Sequence, residues 1–377
     1  MLRQIDKLDQ YYQLDRQVVL ITGLQALVRL LLLQRRRDAR AGLTTAGFVS
    51  GYRGSPLGGL DRELWQATNA LRDASIHFEP GVNEELAATA VWGTQQSSLF
   101  PETVVEGVFG LWYGKGPGVD RASDALKHGN FAGTSRYGGV IVAAGDDHNC
   151  KSSTIAQQSE FTLMDAMMPV LNPMTVQELI EFGLFGYALS RFSGCWVGMK
   201  VIPETADASQ SIDFDDDSFE IVEPSFDAPP NGLGLRWSDP PLAQEARLHS
   251  DRLDAARAFA RANGLDRHVV DCPNARVGIV TAGKAHSDTM QALEDLGFGG
   301  ERTKAAGIRV YKVGMTFPLE PQGVREFAAG LDEIIVVEEK RGIVEPQLKE
   351  ILFNASDGAR PTVVGKRDEN EEWLLPS

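Results

Sequence analysis

Glu84 is the residue whose type and position most strongly suggest chemistry, because it lies at the predicted start of a helix beside small residues. The chain reads Phe-Glu-Pro-Gly-Val-Asn-Glu-Glu-Leu-Ala-Ala-Thr-Ala-Val-Trp-Gly-Thr over residues 78–94. Asn83 occupies the N-cap position, and a helix first turn favours acidic side chains through its unpaired amides and its dipole. Ordinary helix-start chemistry is therefore the simplest interpretation. The following alanines and Gly93 would let another surface approach closely, which makes Glu84 a candidate catalytic residue.

Three further polar loops follow predicted strands, namely Gly51–Gly59, Trp112–Arg121 and Gly145–Ser153. The first is rich in glycine and could hold an anion, but it matches neither the Walker spacing nor Gly-x-Gly-x-x-Gly. A tight turn with Arg53 exposed is an equally good interpretation. The second loop combines Lys115 with Gly-Pro turn chemistry. Because the carboxyl ends of parallel strands share one edge of a sheet, we expect these loops to form a cleft.

Alternating strand and helix patterns predict a doubly wound parallel α/β sheet over residues 41–203. Before it, residues 1–40 are expected to form a helical segment with its apolar face over Leu20–Gln34. Prolines and clustered aspartates mark residues 204–262 as a linker arm with a connecting helix. Residues 263–377 predict a second, smaller α/β domain. The strands of the first domain are predicted at Ala46–Ser50, Ile76–Glu79, Thr103–Gly107, Val140–Ala144, Val170–Asn172 and Cys195–Ile202.

Composition argues against nucleic-acid and membrane functions. The formal net charge is -15, whereas a nucleic-acid groove needs clustered lysines and arginines. The apolar segment Val18–Leu33 is too short and too polar to span a bilayer. Charged residues at Asp6, Asp9, Asp15 and Arg16 interrupt the region where a signal peptide needs an apolar core. We therefore expect a cytoplasmic protein.

The three cysteines, Cys150, Cys195 and Cys272, have neither metal-ligand nor redox spacing. We therefore expect no metal site and no iron-sulfur cluster in this chain. Cys195 and Cys272 are best interpreted as small buried residues. Cys150 lies in a polar loop after an apolar strand, and its role stays open.

Five segments together resemble the indolepyruvate ferredoxin oxidoreductase family, whose members are thiamine-diphosphate-dependent 2-oxoacid:ferredoxin oxidoreductases. The segments are Leu20–Leu30, Gly51–Gly59, Val82–Glu85, Gly114–Arg121 and Gly145–Ser153. The resemblance covers nearly the whole chain, most closely its first domain. It implies a pyrimidine-binding domain followed by a transketolase C-terminal-like domain, and together these would correspond to the N-terminal part of a large fused member.

The resemblance also implies roles for individual residues. In thiamine enzymes a buried carboxylic acid contacts the aminopyrimidine ring and activates the cofactor, and Glu84 matches that acid. Gly54, Ser55 and Asn83 would contact the cofactor. A structural turn is an equally good role for the first loop, and His148 would often simply satisfy a loop carbonyl. Candidate contacts to the substrate are Arg53, Lys115, Asp147, His148 and Lys151.

By resemblance, the complete enzyme would oxidatively decarboxylate indolepyruvate or a related aryl-pyruvate to an acyl-coenzyme A and reduce ferredoxin through a [4Fe-4S] cluster. The Gly-Asp-Gly motif that places magnesium on the cofactor diphosphate is missing, and Gly145-Asp146-Asp147 is the nearest string. We therefore expect an incomplete enzyme that ends before its next domain. Its expected partners are diphosphate-binding and gamma-type domains, ferredoxin, coenzyme A and a second copy in a dimer.

Two alternatives stay open at this point. The chain could be a transketolase-like or other 2-oxoacid oxidoreductase subunit, which would share Glu84 but differ in the loops around Arg53 and His148. It could also be a noncatalytic assembly module whose clefts serve only as an interface.

Overall fold

The computed structural model describes residues 11–15, 18–237, 239–354 and 360–375. Asp6, Asp9 and Arg16 lie outside the described residues, as do much of the first part of the expected segment 1–40 and the last two residues of the chain. The chain divides into two compact units, one ending at Phe259 and the other beginning at Ala260. No helix in the described ranges is both long enough and apolar enough to cross a membrane.

The first unit is built mainly from parallel strands and helices. Its strands are β1 (Val18–Thr22), β2 (Thr45–Gly51), β3 (Ile76–Phe78), β4 (Gly107–Lys115), β5 (Val140–Gly145), β6 (Val170–Leu171), β7 (Val197–Val201) and β8 (Ser209–Asp213). Its helices are α1 (Gly23–Arg40), α2 (Leu60–Gln66), α3 (Thr68–Asp73), α4 (Glu84–Gln95), α5 (Gly116–Arg121), α6 (Ser123–Ala132), α7 (Glu160–Asp165), α8 (Val176–Ser193), α9 (Pro203–Ala206), α10 (Pro241–Arg247) and α11 (Leu253–Ala262), the last of which runs past Phe259.

Strands β2 to β7 form a parallel sheet in the order β6-β7-β5-β4-β2-β3. Helices cover both faces of it. Phe109 on β4 packs against Tyr187 of α8, whereas the next residue, Gly110, faces Val91 of α4. Strands β5 and β7 are buried at every residue, as expected for strands covered on both sides. The predicted doubly wound α/β fold is confirmed.

The fourth strand is displaced from its predicted position. The sequence pattern places a strand at Thr103–Gly107, but β4 begins at Gly107 and continues to Lys115, with Val104 almost fully exposed outside it. The glycines within β4 make it resemble a loop in sequence. They are needed there because the strand lies under helices, where an added side chain at Gly110 would crowd Val91.

The N-terminal helix also begins later than predicted. Residues 20–22 belong to β1, which pairs antiparallel with β8, and α1 begins only at Gly23. Thr22 and Gln25 form a capping box at this boundary. The β-branched run that precedes the cap favours a strand.

The acidic arm that follows α9 is tied to α1 by a buried charge cluster. Asp216 is buried and accepts hydrogen bonds from Arg36 at 3.0 Å and from Arg37 and Arg40 at 2.9 Å each. Basic residues at the C-terminus of a helix are usually explained by solvation and by their interaction with the helix dipole. At the end of α1 the arginines instead bind the arm. The arm is therefore an ordered part of the first unit.

Arg252 is a fully buried cation that holds the end of α6. Its guanidinium donates to the carbonyls of Asn130, Phe131 and Ala132 at 2.9, 3.1 and 3.3 Å, and to Leu233 of the arm at 2.8 Å. The carbonyls of Asn130, Phe131 and Ala132 belong to the last turn of α6, so the helix itself offers them no amide donor. Burial lowers the pKa of Arg252 to about 10.

The second unit contains another α/β sheet. Its strands are β9 (Arg267–Val270), β10 (Val277–Ala282), β11 (Ile308–Val313), β12 (Met315–Phe317), β13 (Glu333–Val337) and β14 (Thr362–Val364), and its helices are α12 (Lys284–Asp295), α13 (Glu301–Ala305), α14 (Pro321–Ala328) and α15 (Val344–Phe353). The sheet order is β14-β13-β10-β11-β9, with β9 antiparallel and the other pairs parallel. Glu338, after β13, accepts hydrogen bonds from three backbone amides at the start of α15.

We expect Arg252→Met to lower the free energy of unfolding by about 3 kcal/mol, because several buried carbonyls lose their donor. Arg257→Met is the matched control, since Arg257 pairs with Asp254 on a partly exposed helix face. That substitution should change stability by less than about 1 kcal/mol. Urea denaturation followed by tryptophan fluorescence measures both, and equal effects would contradict the role of Arg252.

Candidate functional site

Glycines bring the four predicted loops together at the carboxyl edge of the first sheet, although the segment Trp112–Arg121 forms the end of β4 followed by α5 rather than a loop. The amide of Gly81, after β3, donates to the carbonyl of Gly51 at 2.8 Å. A methyl group on Gly145 would lie 3.0 Å from Pro56 Cδ, and one on Gly54 would lie 2.7 Å from Lys115 Cδ. Without side chains, these loops can lie directly against each other.

Glu84 is buried in this cluster, with 7% of its surface exposed. Asn83 caps α4 by accepting from the amide of Leu86 at 2.8 Å, and the indole of Trp112 donates to the carbonyl of Glu84 at 3.0 Å. Gly118 of α5 faces the carboxyl group, since a methyl there would lie 2.7 Å from Glu84 Cγ and 2.9 Å from Oε1. The Glu84 side chain is therefore held between two helix starts.

Arg121 is the cation beside this carboxylate. Its Nε lies 3.9 Å from Glu84 Oε2, and 61% of its side chain is exposed. That distance is too long for a hydrogen bond. The guanidinium of Arg121 therefore lies on the solvent-exposed side of the Glu84 carboxyl group.

A buried hydrogen bond joins the end of β4 to the helix that follows the first loop. The hydroxyl of Tyr113 donates to Asp61 Oδ1 at 2.5 Å, and both residues are buried. Burial, followed by this hydrogen bond, raises the pKa of Tyr113. The bond anchors the Gly51–Gly59 loop beside β4.

Two of the candidate substrate cations have no anionic partner in the part of the chain that the structure describes. Arg53 is exposed, and its guanidinium makes no hydrogen bond or ion pair among the described residues. Lys115 is partly buried, with its stem against Gly54 and its ammonium group likewise unpaired among the described residues. Ser55, between them in the same loop, is partly buried and precedes a cis Pro56.

The other three candidates are already engaged. Asp147 accepts from the amides of Lys151, Ser152 and Ser153 at 2.9, 2.8 and 3.2 Å. Burial opposes the charge of Asp147, but these hydrogen bonds outweigh it and lower the pKa. Lys151 is exposed and pairs with Glu204 at 3.2 Å. His148 is buried with Nδ1 at 2.8 Å from the Gln157 carbonyl, the contact expected of a structural histidine.

Asp146, Glu160 and Lys200 form a buried charge cluster behind this loop. Lys200 Nζ lies 2.8 Å from Glu160 Oε1, and Asp146 accepts from the Ser159 amide at 2.8 Å and from its hydroxyl at 2.6 Å. Burial, followed by the negative charge of Glu160, raises the pKa of Asp146 to about 6.

Comparison with known proteins identifies proteins similar to this chain. Residues 266–374 match the indolepyruvate ferredoxin oxidoreductase middle domain. Over 346 residues the chain is 26% identical to the indolepyruvate oxidoreductase subunit IorA of Methanothermobacter marburgensis, covering 90% of this chain and 51% of that protein. The IorA of Pyrococcus abyssi is also 26% identical, over 86% of this chain and 48% of that protein. Over most of its length the chain is therefore similar to members of the indolepyruvate ferredoxin oxidoreductase family. It spans about half the length of these curated relatives of the family.

Solved structures support the fold of this chain. A 2-oxoglutarate:ferredoxin oxidoreductase from Magnetococcus marinus, solved with 2-oxoglutarate, coenzyme A and succinyl-CoA, matches with a TM-score of 0.65 and 16% identity over 94% of this chain and 63% of that one. A split gene transketolase matches with a TM-score of 0.53 and 12% identity over 93% of this chain and 90% of that one. At these identities the likeness establishes the fold alone.

Several residues of the site were not singled out from the sequence. Trp112 and Gly118 lie in a loop that was identified, but neither has a local pattern that points to Glu84, which is 28 and 34 positions away. Asp146 and Glu160 belong to different elements and meet only in the folded sheet. Position at the carboxyl end of a strand is the one sequence signal that Trp112 and Asp146 share.

We expect Gly118→Ala to lower the free energy of unfolding by about 1–3 kcal/mol, because its methyl group would overlap the Glu84 side chain. In a Glu84→Ala background the same change should be neutral or slightly stabilising, since alanine is the better helix former. Urea denaturation of the four variants forms a double-mutant cycle.

Gly93→Ala is the matched control for this cycle. Gly93 also lies in a helix, but no atom lies within 4 Å of its added methyl group. The substitution should stabilise the chain by about 0.5–1 kcal/mol. Additive effects of the Gly118 and Glu84 changes would show that the two residues do not constrain each other.

The raised pKa of Asp146 predicts a pH-dependent stability. The folded chain holds this proton more tightly than the unfolded chain, so the resulting stabilisation is complete below about pH 4 and is lost as the pH rises through about 6. Asp146→Asn cannot lose a proton, and its amide can still pair with Ser159. We expect the variant to be more stable than the wild type by on the order of 2 kcal/mol at pH 7.5 and equal to it near pH 4. Urea denaturation across this range measures the difference, and a constant difference would contradict the assignment.

Proposed function

We propose that this chain is the pyrimidine-binding part of a thiamine-diphosphate-dependent 2-oxoacid:ferredoxin oxidoreductase. The observation that carries the proposal is the buried Glu84 carboxyl at the start of α4, which packs against Gly118 at the carboxyl edge of a parallel sheet while Trp112 binds the Glu84 backbone carbonyl. Edges of this kind are where α/β proteins bind cofactors. Similarity to the indolepyruvate oxidoreductase subunits supports the class of reaction.

The residues present fit a cofactor ring in contact with Glu84. The side chain of Glu84 is buried but faces a glycine, and the neighbouring guanidinium of Arg121 is too distant to occupy it. Gly54 and Ser55 would line the same cleft. The Asn83 side-chain oxygen is used in capping α4, so Asn83 would contribute through its remaining atoms.

Each group in the cleft has a distinct task in this proposal. Thiamine diphosphate, when bound, supplies the nucleophilic carbon and accepts the electron pair released with carbon dioxide. Glu84 holds a proton at the ring nitrogen, in a site from which water is largely excluded. Arg53 and Lys115 bind the carboxylate of the 2-oxoacid, because they are the cations of the cleft that no described acidic side chain neutralises. His148, Asp147 and Lys151 shape the wall of the cleft.

The proposed substrate is indolepyruvate or a related aryl-pyruvate, on the strength of the names of the relatives. Coenzyme A would accept the acyl group, and the electrons would pass to ferredoxin through a [4Fe-4S] cluster outside this chain. The magnesium ion and the cofactor diphosphate would be held by a diphosphate-binding domain, which we propose as the partner of this one. We place the enzyme in the cytoplasm.

An apolar rim around Glu84 supports a partner domain at this face. Val82 is 82% exposed and Leu86 is 54% exposed, on either side of the buried carboxyl. Exposed apolar side chains grouped at a cleft favour a protein contact. We propose that the diphosphate-binding domain covers this rim, with the gamma-type domain and a second copy of the chain completing the assembly.

We expect Glu84→Gln to reduce single-turnover ferredoxin reduction by at least about 100-fold in the complete enzyme, because the amide cannot exchange a proton with the ring. Indolepyruvate, coenzyme A and thiamine diphosphate are supplied, and cofactor binding is measured separately by titration. Binding should be retained.

Glu85→Gln is the matched control, since it alters an exposed carboxylate in the same helical turn. Its rate should stay within about twofold of the wild type. Unchanged reduction in Glu84→Gln would show that Glu84 is only a helix-start residue. A wild-type enzyme that reduces no ferredoxin with indolepyruvate would point to another 2-oxoacid or to an assembly role.

A further inference from the structure

Asp146, Glu160 and Lys200 are almost completely buried, with exposures of 0, 2 and 3%. They come from three elements, because Asp146 follows β5, Glu160 begins α7 and Lys200 lies on β7. The ammonium of Lys200 pairs with Glu160 at 2.8 Å. Two carboxyl groups therefore share one buried cation, an arrangement that ordinary packing does not require.

Asp146 closes the loop that carries His148. Both its carboxyl oxygens accept from Ser159, one from the amide at 2.8 Å and one from the hydroxyl at 2.6 Å. The loop of residues 147–158 lies between these two ends. Within it, Gln157 holds the His148 ring through its carbonyl at 2.8 Å. The position of the ring therefore depends on the anchoring of Ser159.

The same carboxyl group also adjoins the helix that supports Glu84. A methyl group on Gly116 would lie 3.0 Å from Asp146 Oδ1 and 2.8 Å from Gln157 Cγ. Two residues further along α5, Gly118 packs against Glu84. Asp146 thus touches both the His148 loop and the base of the Glu84 site.

The charges around Asp146 oppose each other. Burial and Glu160 of α7 favour the protonated form, whereas Lys200 of β7 and the Ser159 hydrogen bonds favour the ionised form. Helix α5 contributes a glycine at the contact, and the loop itself contributes His148 and Asp147. Burial favours protonation of Asp146 in the folded chain as a whole, but the hydrogen bonds from Ser159 are stronger to the ionised carboxylate, so protonation weakens these two contacts.

We propose that Asp146 is a positioning residue whose ionised carboxylate holds the 147–158 loop on Ser159, with Glu160 and Lys200 setting the acidity at which this hold is lost. Acidification then loosens the loop and the His148 ring. The effect on the loop is independent of the proposed function, but its consequence for substrate binding rests on that function.

Hydrogen–deuterium exchange of the whole chain tests the loop. After correction for intrinsic exchange rates, we expect exchange in the peptide covering 147–158 to rise about tenfold between pH 7.5 and pH 5, with a midpoint near pH 6. In Asp146→Asn this dependence should disappear. Unchanged protection in the wild type would overturn the proposal. An equal pH dependence in Asp146→Asn would also overturn it and would point to another titrating group of the loop, such as His148.

Two further variants sharpen the result. Glu160→Gln removes the neighbouring negative charge and should move the midpoint to lower pH by about one unit. Asp165→Asn makes the same kind of change at an exposed carboxylate of α7 and should leave the midpoint unchanged. A midpoint that Glu160→Gln does not move would overturn the role of the charge cluster.

Steady-state kinetics of the complete enzyme test the consequence for substrate. The KM for the 2-oxoacid should rise as the pH falls below about 6 in the wild type but not in Asp146→Asn, with kcat affected less. A loop that titrates while KM stays constant would retain the positioning role and overturn the contribution of His148 to substrate binding. Loss of ferredoxin reduction in every variant and the wild type would instead count against the proposed function.

Discussion

The close approach of backbone at the carboxyl edge of the first sheet is the constraint on which the candidate site depends. A side chain at Gly118 would overlap Glu84, and one at Gly54 would overlap Lys115. The absence of these side chains allows the Glu84 carboxyl group and the Lys115 stem to lie directly against neighbouring backbone at this edge. These glycines matter because they have no side chain and not because of their backbone freedom, since neither Gly54 nor Gly118 has a left-handed backbone.

Buried charges hold the surrounding framework in place. Asp216 gathers three arginines of α1, and Arg252 satisfies the open end of α6 while it binds the arm at Leu233. Asp38 of α1 binds α8 by accepting hydrogen bonds from both terminal nitrogens of Arg191 at 2.6 and 2.8 Å. Each contact joins segments that are far apart in sequence, and those of Asp216 and Arg252 fasten the proline-rich arm to the rest of the first unit.

The structure divides the polar residues of the cleft into two groups with different uses. Asp147, His148 and Lys151 are bound to other parts of the protein and define the shape of their loop. Arg53 and Lys115 have no acidic partner among the described residues, so their charges are available to an anion. In the proposed function this anion is the carboxylate of the 2-oxoacid, because charge-assisted hydrogen bonds are stronger than neutral ones. The apolar rim at Val82 and Leu86 suits a covering domain.

Local patterns in the sequence were sufficient for the features that depend on neighbouring residues. They placed Asn83 at an N-cap, Glu84 in a first turn and the α/β alternation along both units, because capping and periodicity act over a few residues. The position of β4 was misjudged, since its glycines are dictated by the helices packed on it. The packing of Gly118 on Glu84, the bond from Tyr113 to Asp61 and the Asp146 cluster were decided only by the tertiary structure. Each of them joins segments that the sheet brings together, and no local propensity encodes such a contact.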